Sequence, residues 1–173
     1  MSVILVVEDD PAMTEGIRDV LGLAGHEVAT APDGRAALDR MRERAPDLIL
    51  SDVMMPRMDG FAFYEEVRRN PAWTFIPFVF LTALGQREAV TRGKRLGADD
   101  YLVKPVDPEQ LLATVESRLE RGQALAGAAA ARLQEMSRLV TGVLGHELRT
   151  PITWIRAYAE ILHRSQFVDH LRL

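Results

Sequence analysis

The chain has 173 residues, of which 47% are hydrophobic and 27% charged, a composition typical of a folded globular protein with a substantial core. Its net charge of −4 implies no strongly basic face, so we predict no nucleic-acid binding. The absence of cysteine excludes disulfide bonds and thiolate metal or redox sites. The apolar run Val3–Val7 is too short for a signal peptide or a spanning helix, so we predict a cytoplasmic protein with no membrane partner.

Five short apolar segments alternate with five segments of helical pattern. The predicted strands are, in chain order, Val3–Val7, His26–Ala31, Asp47–Asp52, Phe78–Ala83 and Asp100–Val103. The predicted helices are Ala12–Leu23, Gly34–Arg44, Phe61–Arg69, Gln86–Leu96 and Pro108–Arg121. Turn signals separate several of them, including Pro32–Gly34 and Met58–Gly60. Several strands are apolar throughout, and the strict alternation predicts right-handed βαβ units in an α/β, doubly wound parallel sheet.

Polar residues follow the C-terminal ends of the predicted strands, where such folds bind ligands. In chain order these residues are Glu8, Asp9, Asp10, Asp52, Thr82 and Lys104. Converging carboxylates raise one another's pKa unless a cation sits among them. Oxygen ligands at that density suit Mg²⁺, and a lysine and a hydroxyl beside them can hold a phosphoryl group.

Five of these residues also have a structural interpretation when each is taken singly. Asp9 and Asp10 could cap a helix, and Asp52 could be a turn residue. Thr82 could be an ordinary strand hydroxyl, and Lys104 a solvated charge. The coincidence of five strand-end positions favours a functional site over five separate structural roles.

Residues 1–121 closely resemble the receiver domain of two-component response regulators. The matching segments stand in the family's order and spacing and are Leu5–Asp10, Asp47–Gly60, Phe80–Ala83 and Gly97–Pro105. The resemblance implies a flavodoxin-like fold with strand order 2-1-3-4-5. It also implies that the chain receives a phosphoryl group from a phosphohistidine-bearing kinase or phosphotransfer protein, in a reaction that needs Mg²⁺ or Mn²⁺.

The same resemblance implies a role for each matching residue. Asp52 is the implied phosphoacceptor, and Lys104 contacts the phosphoryl oxygens. The Lys104–Pro105 bond is expected to be cis, which directs the lysine side chain into the site. Thr82 and Tyr101 are the implied switch that responds to phosphorylation. The implied metal ligands all offer oxygen and are Glu8, Asp9, Asp52 and the backbone carbonyl of Met54.

From Pro108 the pattern predicts a helix that can continue almost to the end of the sequence. Apolar residues recur at helical spacing from Leu133 to Leu162. Three glycines weaken the prediction of an unbroken helix, namely Gly122, Gly127 and Gly142. A stripe of this length cannot be buried on one small domain, so we predict a coiled-coil-like C-terminal extension and a homodimer.

The segment Gly145–Thr153, GHELRTPIT, resembles the H-box of sensor histidine kinases, and the match continues through Trp154–Leu162. The resemblance implies that His146 is a phosphoacceptor and that Glu147 helps to activate its ring. It also implies that Thr150 orients a water for dephosphorylation. His146 and Thr150 are four residues apart and share a helix face. The alternative is a surface histidine on an amphipathic helix.

We therefore predict a receiver over residues 1–121, a helical linker over 122–135 and a partial kinase dimerisation and phosphoacceptor helix over 136–173. The given sequence contains no counterpart of the kinase's second bundle helix or ATP-binding domain. It resembles the front of a receiver-first hybrid histidine kinase, and we expect no autophosphorylation by this chain alone. Two alternatives are a haloacid-dehalogenase-type phosphatase or phosphotransferase, whose nucleophile follows strand one, and a non-catalytic oligomerisation scaffold.

Overall fold

The computed structural model describes residues 1–83 and 97–136. Its strands are β1 (Val3–Val7), β2 (Glu27–Ala31), β3 (Leu48–Asp52), β4 (Phe78–Ala83) and β5 (Asp100–Lys104). Its helices are α1 (Pro11–Leu23), α2 (Gly34–Glu43), α3 (Gly60–Arg69) and a last helix over residues 108–136, here called the C-terminal helix. The first eight of these elements lie within one residue of their predicted ends. The predicted helix Gln86–Leu96 lies outside the described residues.

The five strands form one parallel sheet in the order β2-β1-β3-β4-β5, as the family resemblance implied. The register sets Asp52 opposite Leu81, and Thr82 opposite Val103. Because all strands run in one direction, their C-terminal ends meet at one edge of the sheet. That edge is where a doubly wound fold binds its ligands.

Successive strand residues point to opposite faces, and helices cover both faces of the sheet. Leu5 and Val7 belong to a buried cluster that includes residues of α2 and α3. Ile4 and Val6 belong to a second cluster with residues of α1 and the C-terminal helix. The strands are therefore buried on both sides, which explains why their sequences are apolar throughout instead of alternating.

Each helix of the described ranges begins at an aspartate that caps its first turn. The caps are Asp10, Asp33, Asp59 and Asp107, whose carboxylates accept backbone N–H groups at 2.7–3.4 Å. Each such cap stabilises its helix by roughly 0.5–2 kcal/mol. The Asp-Gly pairs that the sequence marked as turns therefore start helices. Asp10 is therefore a helix cap, which was the structural alternative to a functional role for this residue.

The C-terminal helix packs closely on the receiver-like core at Gly122. This residue is buried, and a Cβ atom there would lie 2.6 Å from Cγ of Pro77. One turn earlier, the Arg118 guanidinium donates to the Asp100 carboxylate at 2.7 Å. The helix also continues through Gly127, so two of the three glycines do not interrupt it. Gly142 lies outside the described residues.

The chain divides into two compact units, Met1–Ala126 and Gly127–Leu173. The second unit is described only over residues 127–136, which are helical. Leu133 and Met136 are 69% and 64% exposed. The predicted coiled-coil-like association depends largely on residues beyond 136 and stays a prediction. None of the helices within 1–83 and 97–136 has the length and apolar character to cross a membrane.

Candidate functional site

Three carboxylates converge at the edge of the sheet where the strands end. Glu8 and Asp9 follow β1, and Asp52 is the last residue of β3. One carboxylate oxygen from each lies within 4.8 Å of the others. Glu8 and Asp52 are 3% and 8% exposed, whereas Asp9 is open to solvent. The sequence-based prediction that these three acids meet is confirmed.

Lys104, at the end of β5, joins two of these acids. Its Nζ donates to Glu8 Oε2 and to Asp52 Oδ2, both at 2.7 Å. The Lys104 side chain is 22% exposed, and the following Lys104–Pro105 peptide bond is cis, as the resemblance implied. The lysine therefore reaches the centre of the site from the far strand of the sheet.

The pKa values of Glu8 and Lys104 reflect this arrangement. Burial raises the pKa of Glu8, the hydrogen bond from Lys104 opposes the shift, and the Asp52 charge adds to it, so the net direction is upward. Burial by itself would lower the pKa of Lys104, but the hydrogen bonds to Asp52 and Glu8 and the negative charges of both carboxylates together outweigh burial and raise it. Within the described ranges, one lysine thus pairs with two of the three converging acids, and the excess of negative charge is one that a cation would relieve.

The donor set fits a hard divalent cation. The three converging side chains offer only carboxylate oxygen, which is the ligand type of Mg²⁺. Cysteine is absent from the whole chain, so no thiolate competes for a softer metal. The site residues therefore suit the predicted Mg²⁺ or Mn²⁺ rather than a thiolate-bound metal.

Asp52 is held from the loop that follows it as well as by Lys104. The backbone N–H of Met54 donates to Asp52 Oδ1 at 3.2 Å. The next helix comes very close, since a Cβ atom on Gly60 would lie 2.1 Å from the backbone oxygen of Asp52. Both carboxylate oxygens thus have a donor, and the backbone beneath them is enclosed.

Two buried hydroxyl groups, one at this edge and one near the start of β5, have no hydrogen-bond partner among the described residues. Thr82 is 1% exposed, and its Oγ1 has no hydrogen-bond partner among the described residues. The buried hydroxyl of Tyr101 has none there either. The ring of Tyr101 stacks on Phe80 with centroids 5.7 Å apart. Buried polar atoms are normally paired, so within the described part of the chain the Thr82 hydroxyl is an exception.

Tyr101 is expected to keep its phenolic proton to higher pH than a free tyrosine. Burial raises its pKa to about 12, with further contributions from Tyr64 and Asp100. The unfolded chain releases this proton near pH 10. The contribution to stability is therefore complete below about pH 10 and falls as pH rises to about 12. Ultraviolet titration of tyrosinate should lose its latest step in Tyr101→Phe; an unchanged late step would contradict this assignment.

A tight turn in the loop between β3 and α3 was not foreseen from the sequence. The N–H of Met58 donates to the carbonyl of Pro56 at 2.6 Å, which makes a three-residue γ-turn centred on Arg57. Arg57 has a φ of 63°, so the turn belongs to the rare, strained form. For a residue with a side chain, this backbone region costs on the order of 1–2 kcal/mol.

Comparison with known proteins agrees with this geometry. Residues 4–116 match the family described as response regulator receiver domain. The chain belongs to this family. A solved protein from Chloroflexus aurantiacus, named a putative response regulator, is 37% identical, with a TM-score of 0.68, covering 69% of this chain and 98% of that one.

Two further relatives belong to different classes of signalling protein. The DNA-binding dual master transcriptional regulator RpaA of Synechocystis is 42% identical over 118 residues, which are 68% of this chain and 49% of that protein. The solved receiver domain of a signal transduction histidine kinase from Syntrophus aciditrophicus is 35% identical, with a TM-score of 0.66, covering 69% of this chain and 91% of that one. The chain spans about half the length of the first curated relatives that it matches.

The family assignment and the site geometry bear on the two alternatives named for the acidic site. The dehalogenase-type hypothesis needs its nucleophile after the first strand, and it has no support beside a receiver match over residues 4–116. A missing acid, Thr82 or Lys104 would have favoured the degenerate-scaffold hypothesis, whereas Glu8, Asp9, Asp52 and Lys104 come together. His146, Glu147 and Thr150 lie outside the described residues, so their predicted roles stay predictions.

Proposed function

We propose that this receiver takes a phosphoryl group from a phosphohistidine on a kinase or phosphotransfer protein and carries it on Asp52. The observation that supports the proposal most directly is the environment of Asp52. Its buried carboxylate accepts hydrogen bonds from Lys104 Nζ and the Met54 N–H and lies beside two further acids. A carboxylate that served only structure would not need two further acids beside it.

In the proposed reaction, a carboxylate oxygen of Asp52 attacks the phosphorus of the donor. The P–N bond to the donor's imidazole breaks, and the ring nitrogen keeps the electron pair. Lys104 shifts its hydrogen bonds toward the phosphoryl oxygens and balances their charge. The proposed metal ligands are Glu8, Asp9, Asp52 and the carbonyl of Met54. When bound there, Mg²⁺ supplies positive charge that offsets the acids and the incoming phosphoryl group.

We propose further that Thr82 and Tyr101 convert phosphorylation into a conformational signal. The unpaired hydroxyl of Thr82 supports this role, because a phosphoryl oxygen would give it the acceptor that the described residues do not. Tyr101 stacks on Phe80, two residues before Thr82 on β4, so movement of the threonine can reach the ring through one strand. Phosphorylation would then bias a two-state equilibrium.

The proposal predicts that a small acyl phosphate labels the purified chain in the presence of Mg²⁺. Without the cation, the acids repel the anionic donor, so labelling should fall to background. Intact-mass spectrometry at neutral pH would measure the phosphorylated fraction, with peptide mapping after borohydride trapping to locate it. Equal labelling in Mg²⁺ and in excess chelator would contradict the proposal.

We also propose the domain organisation that the sequence predicts, with a receiver over 1–121, a helical linker over 122–135 and a kinase-like phosphoacceptor helix over 136–173. The GHELRTPIT segment supports His146 as a phosphohistidine, with Glu147 and Thr150 beside it. The likeness to the receiver of a histidine kinase is consistent with this arrangement. Because other relatives are named transcriptional regulators, a DNA-directed output is the second candidate, and the predicted absence of nucleic-acid binding stays a prediction.

ATP alone is expected to leave His146 unlabelled. Phosphoryl transfer depends mostly on positioning, with effective molarities of roughly 10⁵ M or more at stake, and the given sequence holds no recognisable ATP-binding motif. Radiolabelled ATP followed by alkali separates stable phosphohistidine from labile aspartyl phosphate. Alkali-stable label that disappears in His146→Gln, with no kinase added, would show that the chain binds ATP productively.

A further inference from the structure

The strained turn at Arg57 lies in the loop that carries Met54, three residues before it. Among the described residues, Arg57 is the one non-glycine position with a positive φ. Such conformations persist only where surrounding contacts determine them, and they cluster at functional sites. The question is which contacts hold this turn and what they position.

The contacts come from the start of α2, on a different βα unit. The Arg57 guanidinium forms an ion pair with the Asp33 carboxylate through Oδ2. The carbonyl of Met58 accepts the N–H of Gly34 at 3.2 Å. The Met58 side chain also lies so close to Gly34 that a Cβ atom there would be 2.7 Å from Met58 Cγ. An ion pair, a backbone hydrogen bond and a packing contact thus act on two adjacent residues.

Asp33 is well prepared to hold Arg57. It is fully buried, and its other oxygen, Oδ1, accepts the N–H groups of Arg35 and Ala36 at 2.8 and 2.9 Å. The carboxylate is therefore fixed by helix α2 before it meets the arginine. The Arg57 side chain is 66% exposed, so the buried Asp33 carboxylate is the fixed partner of the ion pair and the arginine side chain is the less constrained one.

The rest of the loop is fixed at its two ends. At its start, Val53 N–H donates to the Leu81 carbonyl at 3.2 Å, and Met54 N–H donates to Asp52. At its end, Gly60 N–H donates to the Val53 carbonyl at 3.0 Å. The middle of the loop, residues 55–58, is connected to another element through the contacts of Arg57 and Met58 with α2.

We propose that the Arg57–Asp33 ion pair is a positioning device for the Met54 segment and thereby sets the Mg²⁺ affinity of the site. The inference rests on the proposed function, in which the Met54 carbonyl is a metal ligand. Neither Arg57 nor Asp33 contacts the reacting atoms in the proposed reaction; both act through the loop backbone. Residues that orient a metal ligand typically change metal affinity roughly 10–100-fold when they are replaced.

Mg²⁺ titration calorimetry on the full chain tests the proposal, with MgCl₂ as the probe. Arg57→Ala and Asp33→Asn should each weaken Mg²⁺ binding roughly tenfold. Asparagine at 33 keeps the Oδ1 acceptor for the helix amides, while it removes the charge and replaces the Oδ2 acceptor of Arg57 with an amide donor. The double variant should be no weaker than either single variant, because both remove one interaction.

The signs of the two changes separate positioning from simple charge effects. Arg57→Ala removes a positive charge, which by Coulomb's law alone would tighten Mg²⁺ binding, whereas Asp33→Asn removes a negative charge and would weaken it. Weaker binding in both variants supports positioning. Opposite signs, or an unchanged Arg57→Ala, overturn it.

Further variants distinguish positioning from a general loss of stability. Arg57→Gly also removes the ion pair but relieves the positive-φ strain, so it should bind Mg²⁺ as weakly as Arg57→Ala while melting at a higher temperature than Arg57→Ala. Arg44→Ala is the matched control, since it removes an arginine of similar exposure from an ion pair with Glu27 outside the loop, and it should leave Mg²⁺ affinity unchanged. At saturating Mg²⁺, acyl-phosphate labelling of the Arg57 variants should recover to the wild-type rate.

Measurements on the wild-type chain distinguish failure of the positioning proposal from failure of the proposed function on which it rests. If the wild type neither binds Mg²⁺ nor accepts phosphate, the proposed function and this inference fail together. If the wild type does both and the Arg57 and Asp33 variants match it in Mg²⁺ affinity, only the positioning role is overturned.

Discussion

Asp52→Asn is expected to abolish labelling by a small acyl phosphate in Mg²⁺, reducing it to the background of the assay. The asparagine oxygen can still accept the Met54 N–H that reaches Oδ1 at 3.2 Å, so the local backbone should be kept. The amide, however, is a poor nucleophile and cannot form an aspartyl phosphate. It also removes one of the three converging carboxylates, which weakens the cation site. The phosphorylated fraction from intact-mass spectrometry measures the effect.

A matched control is available on the surface of α2. Asp39→Asn makes the same chemical change at an exposed residue whose carboxylate pairs with Arg42 at the surface, and labelling should stay at the wild-type level. Circular dichroism should show that both variants are folded. Undiminished labelling of Asp52→Asn, mapped to another carboxylate such as Asp9, would mean that the nucleophile has been misassigned.

Gly60→Ala should give the largest loss of stability of any single methyl addition at the glycines described. A Cβ atom there would lie 2.1 Å from the Asp52 oxygen and 3.0 Å from Val53 Cα, and both are backbone atoms that cannot rotate away. Either α3 or the end of β3 must move, at a cost of about 3 kcal/mol. Denaturant unfolding measures the loss, and the displaced Asp52 should also label slowly.

Gly16→Ala provides the contrasting substitution. Gly16 is within α1, and an added Cβ there meets nothing within 4 Å. Alanine has the higher helix propensity, so this variant should be more stable by up to about 1 kcal/mol. Equal midpoints for Gly60→Ala and the wild type would show that α3 can retreat from Asp52 without penalty.

The elements of the sheet could be predicted to within one residue because burial on both faces leaves a simple signal. Segments such as Val3–Val7 are short, continuous and apolar, and they are separated by helical periodicity. The acidic site could be predicted equally well, since parallel strands bring residues after β1 and at the end of β3 to one edge of the sheet. Glu8 and Asp52 needed no knowledge of side-chain contacts to be placed together.

The parts that sequence could not supply depend on contacts between distant segments. Asp33 and Arg57 are 24 residues apart in the chain and belong to no periodic pattern. The sequence around each residue therefore does not predict their ion pair. Asp10 shows a different ambiguity. An aspartate between a strand and a helix fits both a ligand and a cap, and only its extended backbone and bonds to Ala12 and Met13 identify the cap.

The close contact of Gly122 with Pro77 limits how this receiver can be joined to other modules. In an engineered chimaera, a new sequence that begins directly after Arg121 would put a side chain where Pro77 Cγ leaves room only for hydrogen. Such a fusion would displace the C-terminal helix from Pro77, whatever the properties of the new module. A junction beyond Ala126, at the end of the first compact unit, keeps the glycine and lets the exchanged module be judged on its own properties.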